Sequence, residues 1–416
     1  MNKILSKLGP GLLYAGAAIG VSHVVQSTKA GAIYGSVMIA GILLAHIFKY
    51  PFFELGPRYA STTGESLIGG YRKLGKGAVI LVLLLTVSTM FTVEAAVTVV
   101  TAGIAIKLFG LSMSPWVMSA IILIICALIL NIGHFDLLNN LMKVIMIVLA
   151  ITTIIAAASS FFVDREIAEG SMRFFSWSST DDNKFLIAFI GWMPAPLDIA
   201  IWHSLWTVAG MRSKNTSPDF KRSMFDFKVG YWGTAFLALC FLLLGANVIY
   251  GSGTELSASG VVYAGQLIDM YTASIGSWSY YIIAVAAFTT MFSTTLTCLD
   301  AMPRVLTEIV VGHKSMKSDG QVARTRNIHR SFMLLIMVGA VILLSVFVSN
   351  MAQMVTLATS ISFLTAPVLA FLGMRVAFKY LPENKWTKKM QWIAWAGLIF
   401  LVLLSVYYLY NLWITA

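Results

Sequence analysis

Eleven apolar blocks in this chain are long enough to cross a hydrocarbon core of roughly 30 Å, which takes about 20 helical residues. They cover 10–28, 33–55, 77–107, 114–132, 137–163, 184–210, 226–251, 276–300, 329–349, 351–373 and 392–413. The pattern predicts an all-α integral membrane protein of eleven transmembrane helices. Two blocks break their own pattern. The first carries Gly16, Gly20 and Ser22 near its middle, and the sixth carries "GWMPAPLD", Gly191 to Asp198, where Pro194 and Pro196 remove two backbone donors within three residues. Spans 1 and 6 are five apart and so cross in opposite directions. Broken spans at matching positions of two five-span halves point to an inverted-repeat transporter with its site near the midplane. A tolerated kink is the alternative for either break alone. The expected organisation is a first repeat over 1–163 (helices 1–5), a second over 164–378 (helices 6–10), and an additional helix 11 within 379–416.

Composition fits this pattern, since 58% hydrophobic and 11% charged residues leave the bilayer as the environment. The net charge of +11 raises a nucleic-acid reading, but the bases alternate along the chain in clusters between spans, which is a topology signal. Arg58, Arg72, Lys73 and Lys76 lie between spans 2 and 3, and Arg212, Lys214, Lys221, Arg222 and Lys228 between 6 and 7. Arg304, Lys314, Lys317, Arg324, Arg326 and Arg330 lie between 8 and 9. Arg375, Lys379, Lys385, Lys388 and Lys389 lie between 10 and 11, whereas Asp164, Glu166, Glu169, Asp181 and Asp182 dominate the 5–6 connection. The positive-inside rule then places the N-terminus in the cytosol and the C-terminus outside a plasma (cell inner) membrane. Lys3 and Lys7 lead directly into "LGPGLLYAG", so no cleaved signal peptide is expected. The lipid bilayer is the expected partner, and nucleic acid is not. Cys126, Cys240 and Cys298 sit inside apolar runs and read as packing residues. The cytosolic loops carry no phosphate-binding loop and no enzyme signature, so the expectation is an ion-driven carrier without a cofactor, coupled to Na+ or H+.

Breaking a helix at mid-membrane exposes N–H groups at the start of its second half and C=O groups at the end of its first. The first carry partial positive charge and the second partial negative charge. Such a site holds an anion on the half-helix N-termini or a cation on the unwound carbonyls. The side chains decide between them.

At the two breaks the chain resembles the NRAMP family of proton-coupled divalent-metal transporters, which share the LeuT-type architecture of two inverted five-span repeats. The resemblance runs from "LGPGLLYAG" and "KAGAIYG" in span 1, through "TVVTAGIAIKLFG" in span 3 and Met193-Pro194 in span 6, to "FSTTLT" in span 8 and "AQMVTLATSISFLTAP" in span 10. It implies a substrate site at Gly20, Val21, Ser22 and His23, which stand where the family carries Asp-Pro-Gly-Asn, and at Met193, Pro194 and Ala195, which stand where it carries Met-Pro-His. Thr359 or Ser360 replaces a span 10 glutamine. In span 3, Glu94 is retained while Val97 replaces a second acid.

These departures change the chemistry the site can offer. A divalent ion in a low-dielectric pocket needs anionic or strongly donating ligands, and Gly20 removes the only formal negative charge of the first break. His23 and Met193 remain as a metal pair in the alternative reading, a proton-coupled importer of Mn2+, Fe2+ or Mg2+. Without the aspartate, the half-helix ends and an imidazole favour a small anion, bicarbonate or a short carboxylate. Glu94 is the expected proton carrier or counter-charge, and Ser293, Thr294 and Thr295 could present hydroxyls to a sodium ion beside the span 1 carbonyls. Asp198 reads as a helix cap that would join the coupling-ion pathway if it faced the pocket. Lys29 could raise anion concentration at an outward mouth but reads first as a snorkelling interfacial residue; His46 and His203 read as packing or interface residues, and Asp300 with Pro303 and Arg304 as a local cap and charge pair.

Overall fold

A computed structural model describes residues 8–132, 135–164, 167–213, 219–312, 319–347 and 351–415. Lys3, Lys7, Glu166, Lys214, Lys314 and Lys317, used in the charge argument, lie outside them. Helices are the regular secondary structure of the described residues, with α-helices in the order α1 (Pro10–Ala18), α2 (Thr28–Tyr34), α3 (Ile39–Thr63), α4 (Leu67–Leu74), α5 (Lys76–Phe109), α6 (Pro115–Ile132), α7 (Phe135–Ser159) and α8 (Thr180–Trp192). There follow α9 (Ile199–Ser213), α10 (Phe220–Val248), α11 (Gly260–Ile275), α12 (Tyr280–Val311), α13 (Asp319–Ile342), α14 (Met351–Tyr380) and α15 (Lys388–Thr415).

Nine helical stretches among the described residues are long and apolar enough to cross a membrane, against the eleven blocks expected. One of the nine, Pro10–Thr63, contains two expected blocks. The sixth block is missing from the count because its break leaves pieces of 13 and 15 residues, α8 and α9.

Local chemistry sets the ends of these elements. Gly64, in the left-handed region at φ 75°, terminates α3 and donates its N–H to Ala60. The Ser66 hydroxyl then caps α4 by accepting from Gly69 N. At the start of α8, Ser179 accepts from Asp182 N, and Asp181 and Asp182 place acids on the positive end of the helix.

The helices pack as two groups. In one, α10 lies against α1, α2 and α3, with α9 on α3 and α1; in the other, α5 is surrounded by α6, α11, α12 and α14. The contact between α10 and the two halves of span 1 is backbone against backbone. A Cβ on Gly31 would lie 1.9 Å from Leu242 O, and one on Gly245 would lie 2.1 Å from Thr28 O. At the other half, a Cβ on Gly11 would lie 2.2 Å from Asp226 O. The Asp226 carboxylate accepts from Gly9 N at 3.0 Å and Gly11 N at 2.7 Å, capping α1 from a different span. Small residues at such crossings are the usual device for close helix packing in a bilayer.

Candidate functional site

The first break comes immediately after α1. Ile19 N bonds Ala15 O and Gly20 N bonds Ala18 O, after which Val21–Ser27 winds as a π-helix before α2 begins. Gly20 is required here by space, because a Cβ would lie 2.6 Å from both Cγ2 and Oγ1 of Thr294 on α12. An aspartate at this position therefore has no room unless the Thr294 side chain shifts. The Thr294 hydroxyl donates toward Gly16 O at 3.0 Å, so a span 8 hydroxyl stands beside the span 1 carbonyls. Its neighbours serve their own helix: Ser293 bonds Thr290 O, and Thr295 bonds Met291 O and the Thr101 hydroxyl.

Ser22 sits between the two breaks. Its Oγ is 2.6 Å from Ala18 O, 2.7 Å from His23 Nδ1 and 3.2 Å from Pro194 O. His23 corrects an expectation. Its Nε2 lies 3.0 Å from Thr234 O, and a carbonyl only accepts, so Nε2 carries a proton directed at α10 rather than at the space between the breaks. Both ring nitrogens are committed within the protein, which removes the imidazole from the proposed ligand cradle. The cause is the π-helical turn, whose different residues per turn rotate position 23 away from where an α-helix would put it.

The second break separates α8 from α9 at Met193–Asp198. Met193 and Ala195 are fully buried. The Asp198 carbonyl opens α9 by accepting from Ile201 N and Trp202 N, while its side chain meets Thr89 Oγ1 of α5 at 3.4 Å and its Oδ1 has no partner among the described residues. On α5, Glu94 is fully buried, and its Oε2 likewise lacks a partner. The carbonyl end of α8 is held by a residue the sequence reading passed over. Lys49, on α3 and fully buried, donates through Nζ to Ile190 O at 2.6 Å, Gly191 O at 2.8 Å and Met193 O at 3.0 Å.

Of the two span 10 candidates, Thr359 meets α8 through its backbone, while its hydroxyl donates to Val355 O and Thr356 O of its own helix. Thr359 is fully buried, and its carbonyl lies 3.2 Å from where a Cβ on Gly191 would stand. Ser360 is turned away and accepts from the Tyr408 hydroxyl of α15 at 2.9 Å, which corrects its place in the site. His203 stacks on Tyr14 with ring centroids 5.5 Å apart, and His46 bonds Ile42 O; both are packing residues. Cys126, Cys240 and Cys298 are buried and unpaired, as expected. Arg304 grips Asp300 through Nε and Nη2 at 2.8 and 2.7 Å.

Between the breaks lies a cavity of only 10 Å³, lined by Ala18, Val21, Ser22, Trp192, Pro196 and Thr294 among others. That is room for about one water, so the centre is closed. A cavity of 320 Å³ contains Gln26, Lys29, Arg173, Asp181 and Lys184 in its lining. Lys29 thus faces this cavity, which corrects its assignment as a lipid-interface residue. Another cavity, of 350 Å³, is bounded by Arg212, Arg304 and Arg326 with Asp300 and Glu308. A closed centre with two separate cavities is the arrangement an alternating-access carrier needs in its occluded form.

Comparison with known proteins agrees with this architecture. The family model described as natural resistance-associated macrophage protein-like, Nramp, matches residues 11–411. An uncharacterized protein of Pasteurella multocida is 35% identical over 401 residues, which cover 95% of this chain and 89% of that protein. Among solved structures, a mutant manganese transporter of Eremococcus coleocola aligns with a TM-score of 0.63 at 14% identity, covering 99% of this chain and 95% of its own. A Na+-coupled sialic acid symporter aligns with a TM-score of 0.58 at 13% identity, covering 95% and 88%. A nucleobase-cation-symport-1 family transporter aligns with a TM-score of 0.58 at 12% identity, covering 97% and 92%.

Proposed function

The chain belongs to the Nramp family, and from that premise we propose that this multi-pass membrane transporter carries a small planar anion, bicarbonate or a short carboxylate, coupled to protons. In this reading the N-terminus lies in the cytosol of a plasma-membrane carrier, as the positive-inside pattern suggests, so that the Lys29 cavity is the outer vestibule and the Arg304 cavity the inner one. The observation that carries the anion reading is the basic excess in both vestibules. Lys29, Arg173 and Lys184 face Asp181 in one, and Arg212, Arg304 and Arg326 face Asp300 and Glu308 in the other. Arg173 is matched by Asp182 nearby, which leaves Lys29 and Lys184 as the outer attractors. Low-dielectric walls focus such a field and concentrate ions of opposite sign.

The competing reading is import of a divalent metal, which the family description and the manganese-transporter neighbour favour. It needs a donor set, and among the described residues no group of three or more His, Cys, Asp or Glu could hold a metal ion. With His23 turned to α10 and Gly20 without a side chain, the first break offers only backbone and the Ser22 hydroxyl. For coupling, this reading assigns the proton to Glu94 and Asp198, buried carboxylates whose Oε2 and Oδ1 have no protein partner among the described residues.

Reconstitution in liposomes separates the readings. Saturable uptake of labelled bicarbonate or formate, driven by an inward proton gradient and indifferent to sodium, is the expected result. Saturable manganese uptake without anion flux would overturn it. In the same assay, Lys29→Gln with Lys184→Gln is expected to raise KM roughly 3- to 10-fold at low salt with little change in kcat, an effect that shrinks as salt screens the vestibule. Glu94→Gln is expected to keep exchange of labelled substrate while losing the response to the proton gradient; an unchanged response would take Glu94 out of the coupling pathway.

A further inference from the structure

We infer that Lys49 is a tethered cation: its ammonium fills a monovalent-cation site built from the carbonyls of Ile190, Gly191 and Met193, so the broken helix needs no ion from solution. The site follows from the break itself. A helix that ends inside the bilayer leaves its last carbonyls without intrahelical donors and carries partial negative charge there. At the end of α8 the carbonyls of Ile190 and Gly191 and that of Met193, just past it, converge on one nitrogen at 2.6, 2.8 and 3.0 Å, with Ile190 O also accepting from Met193 N at 3.3 Å. An ammonium has three N–H donors, and all three are used. Carbonyl clusters of this kind replace the hydration shell of a small monovalent cation in ion-conducting proteins.

Lys49 is fully buried, and among the described residues no carboxylate lies within 4 Å of its nitrogen. Its charge is therefore balanced by the helix end, as that of a bound ion would be. Because Lys49 reaches α8 from α3, the charge travels with the protein through the transport cycle. An ion taken from solution would bind and leave, and so would couple its own gradient to that cycle; a tethered one cannot. The break in span 6 is then satisfied permanently, and any coupling ion has to act elsewhere.

Chemical rescue tests the assignment on purified full-length protein in detergent, with the thermal unfolding midpoint read in the absence of substrate. Lys49→Ala is expected to lower the midpoint by about 5 °C or more. Methylammonium or propylammonium should raise it again, saturably, while choline at equal ionic strength, too large for the vacated space, should not. Lys49→Gln, which keeps donors and bulk but not charge, should also be less stable than the parent. The parent, whose carbonyl site is already filled, should not respond to the alkylammonium ions. Failure of rescue, a Gln variant as stable as the parent, or a parent that the alkylammonium ions stabilise as much as they do the Ala variant would each overturn the inference. If the Ala variant does not accumulate, the Gln variant and the parent decide it. The inference does not rest on the anion reading, and its readout involves no transport, so either can fail alone.

Discussion

Gly31→Leu is expected to leave no monodisperse transporter in detergent extracts, whereas Gly233→Leu on the facing helix should behave like the parent. The difference lies in what a side chain would meet. At Gly31 the first carbon already lies 1.9 Å from the Leu242 carbonyl oxygen and 2.8 Å from Ala246 N, and both are backbone atoms inside α10 that no rotamer change can move. The reciprocal contact, Gly245 against Thr28 O at 2.1 Å, leaves no direction in which α2 can slide. At Gly233 nothing lies within 4 Å. Overpacking a core costs about 1–3 kcal/mol when side chains can yield; here the helices must part, and the closed centre between the breaks goes with them. Fluorescence-detected size-exclusion profiles of the two variants give the answer directly. A Gly31→Leu profile matching that of Gly233→Leu would mean that α2 and α10 are not held in this contact.

The second large effect is expected at Asp300. Its buried carboxylate accepts from Trp206 Nε1 at 2.9 Å and from two guanidinium nitrogens of Arg304, tying α9 to α12 beside the inner vestibule. Asp300→Ala leaves a cation and an indole N–H unpaired. Removing one partner of a fully buried pair costs about 3–5 kcal/mol. The Arg304 side chain is 33% exposed and recovers some hydration, so a loss of roughly 2–3 kcal/mol is expected. Asp300→Asn keeps an acceptor for Trp206 and should fall between parent and Ala in thermal unfolding. If Ala and Asn are equally stable, the charge on Asp300 is not what joins the helices.

Much of the architecture was legible because bilayer constraints are severe. The glycines of span 1 and the prolines of span 6 mark breaks that no continuous membrane helix would carry, and both breaks are present. Thr294 beside the span 1 carbonyls, the packed cysteines and the Asp300–Arg304 pair also follow from residue type and place. What failed was rotational phase. A shift of one residue turns a helical side chain by about 100°, so a span 10 alignment uncertain by one residue could not separate Thr359, which meets α8, from Ser360, which bonds α15. His23 was misplaced by a π-helical turn that apolar patterning does not signal. Lys49 was legible and was missed: an ionisable residue inside block 33–55 carries the same flag as Glu94 in span 3. Once it is counted, the question of which ion sits at the second break changes, since the protein supplies one.

The Asp226 cap bears on how often the carrier opens. If the first half of span 1 swung away from α10 alone, Gly9 and Gly11 would lose hydrogen bonds to a charged acceptor, roughly 1.5–3 kcal/mol each. At a factor of ten per 1.4 kcal/mol, such a state would hold about one molecule in a hundred to one in ten thousand. Motion of span 1 together with α10 carries no such penalty. By this argument span 1 and span 7 turn as one part, and the inner gate is a joint property of two segments more than 200 residues apart in the chain.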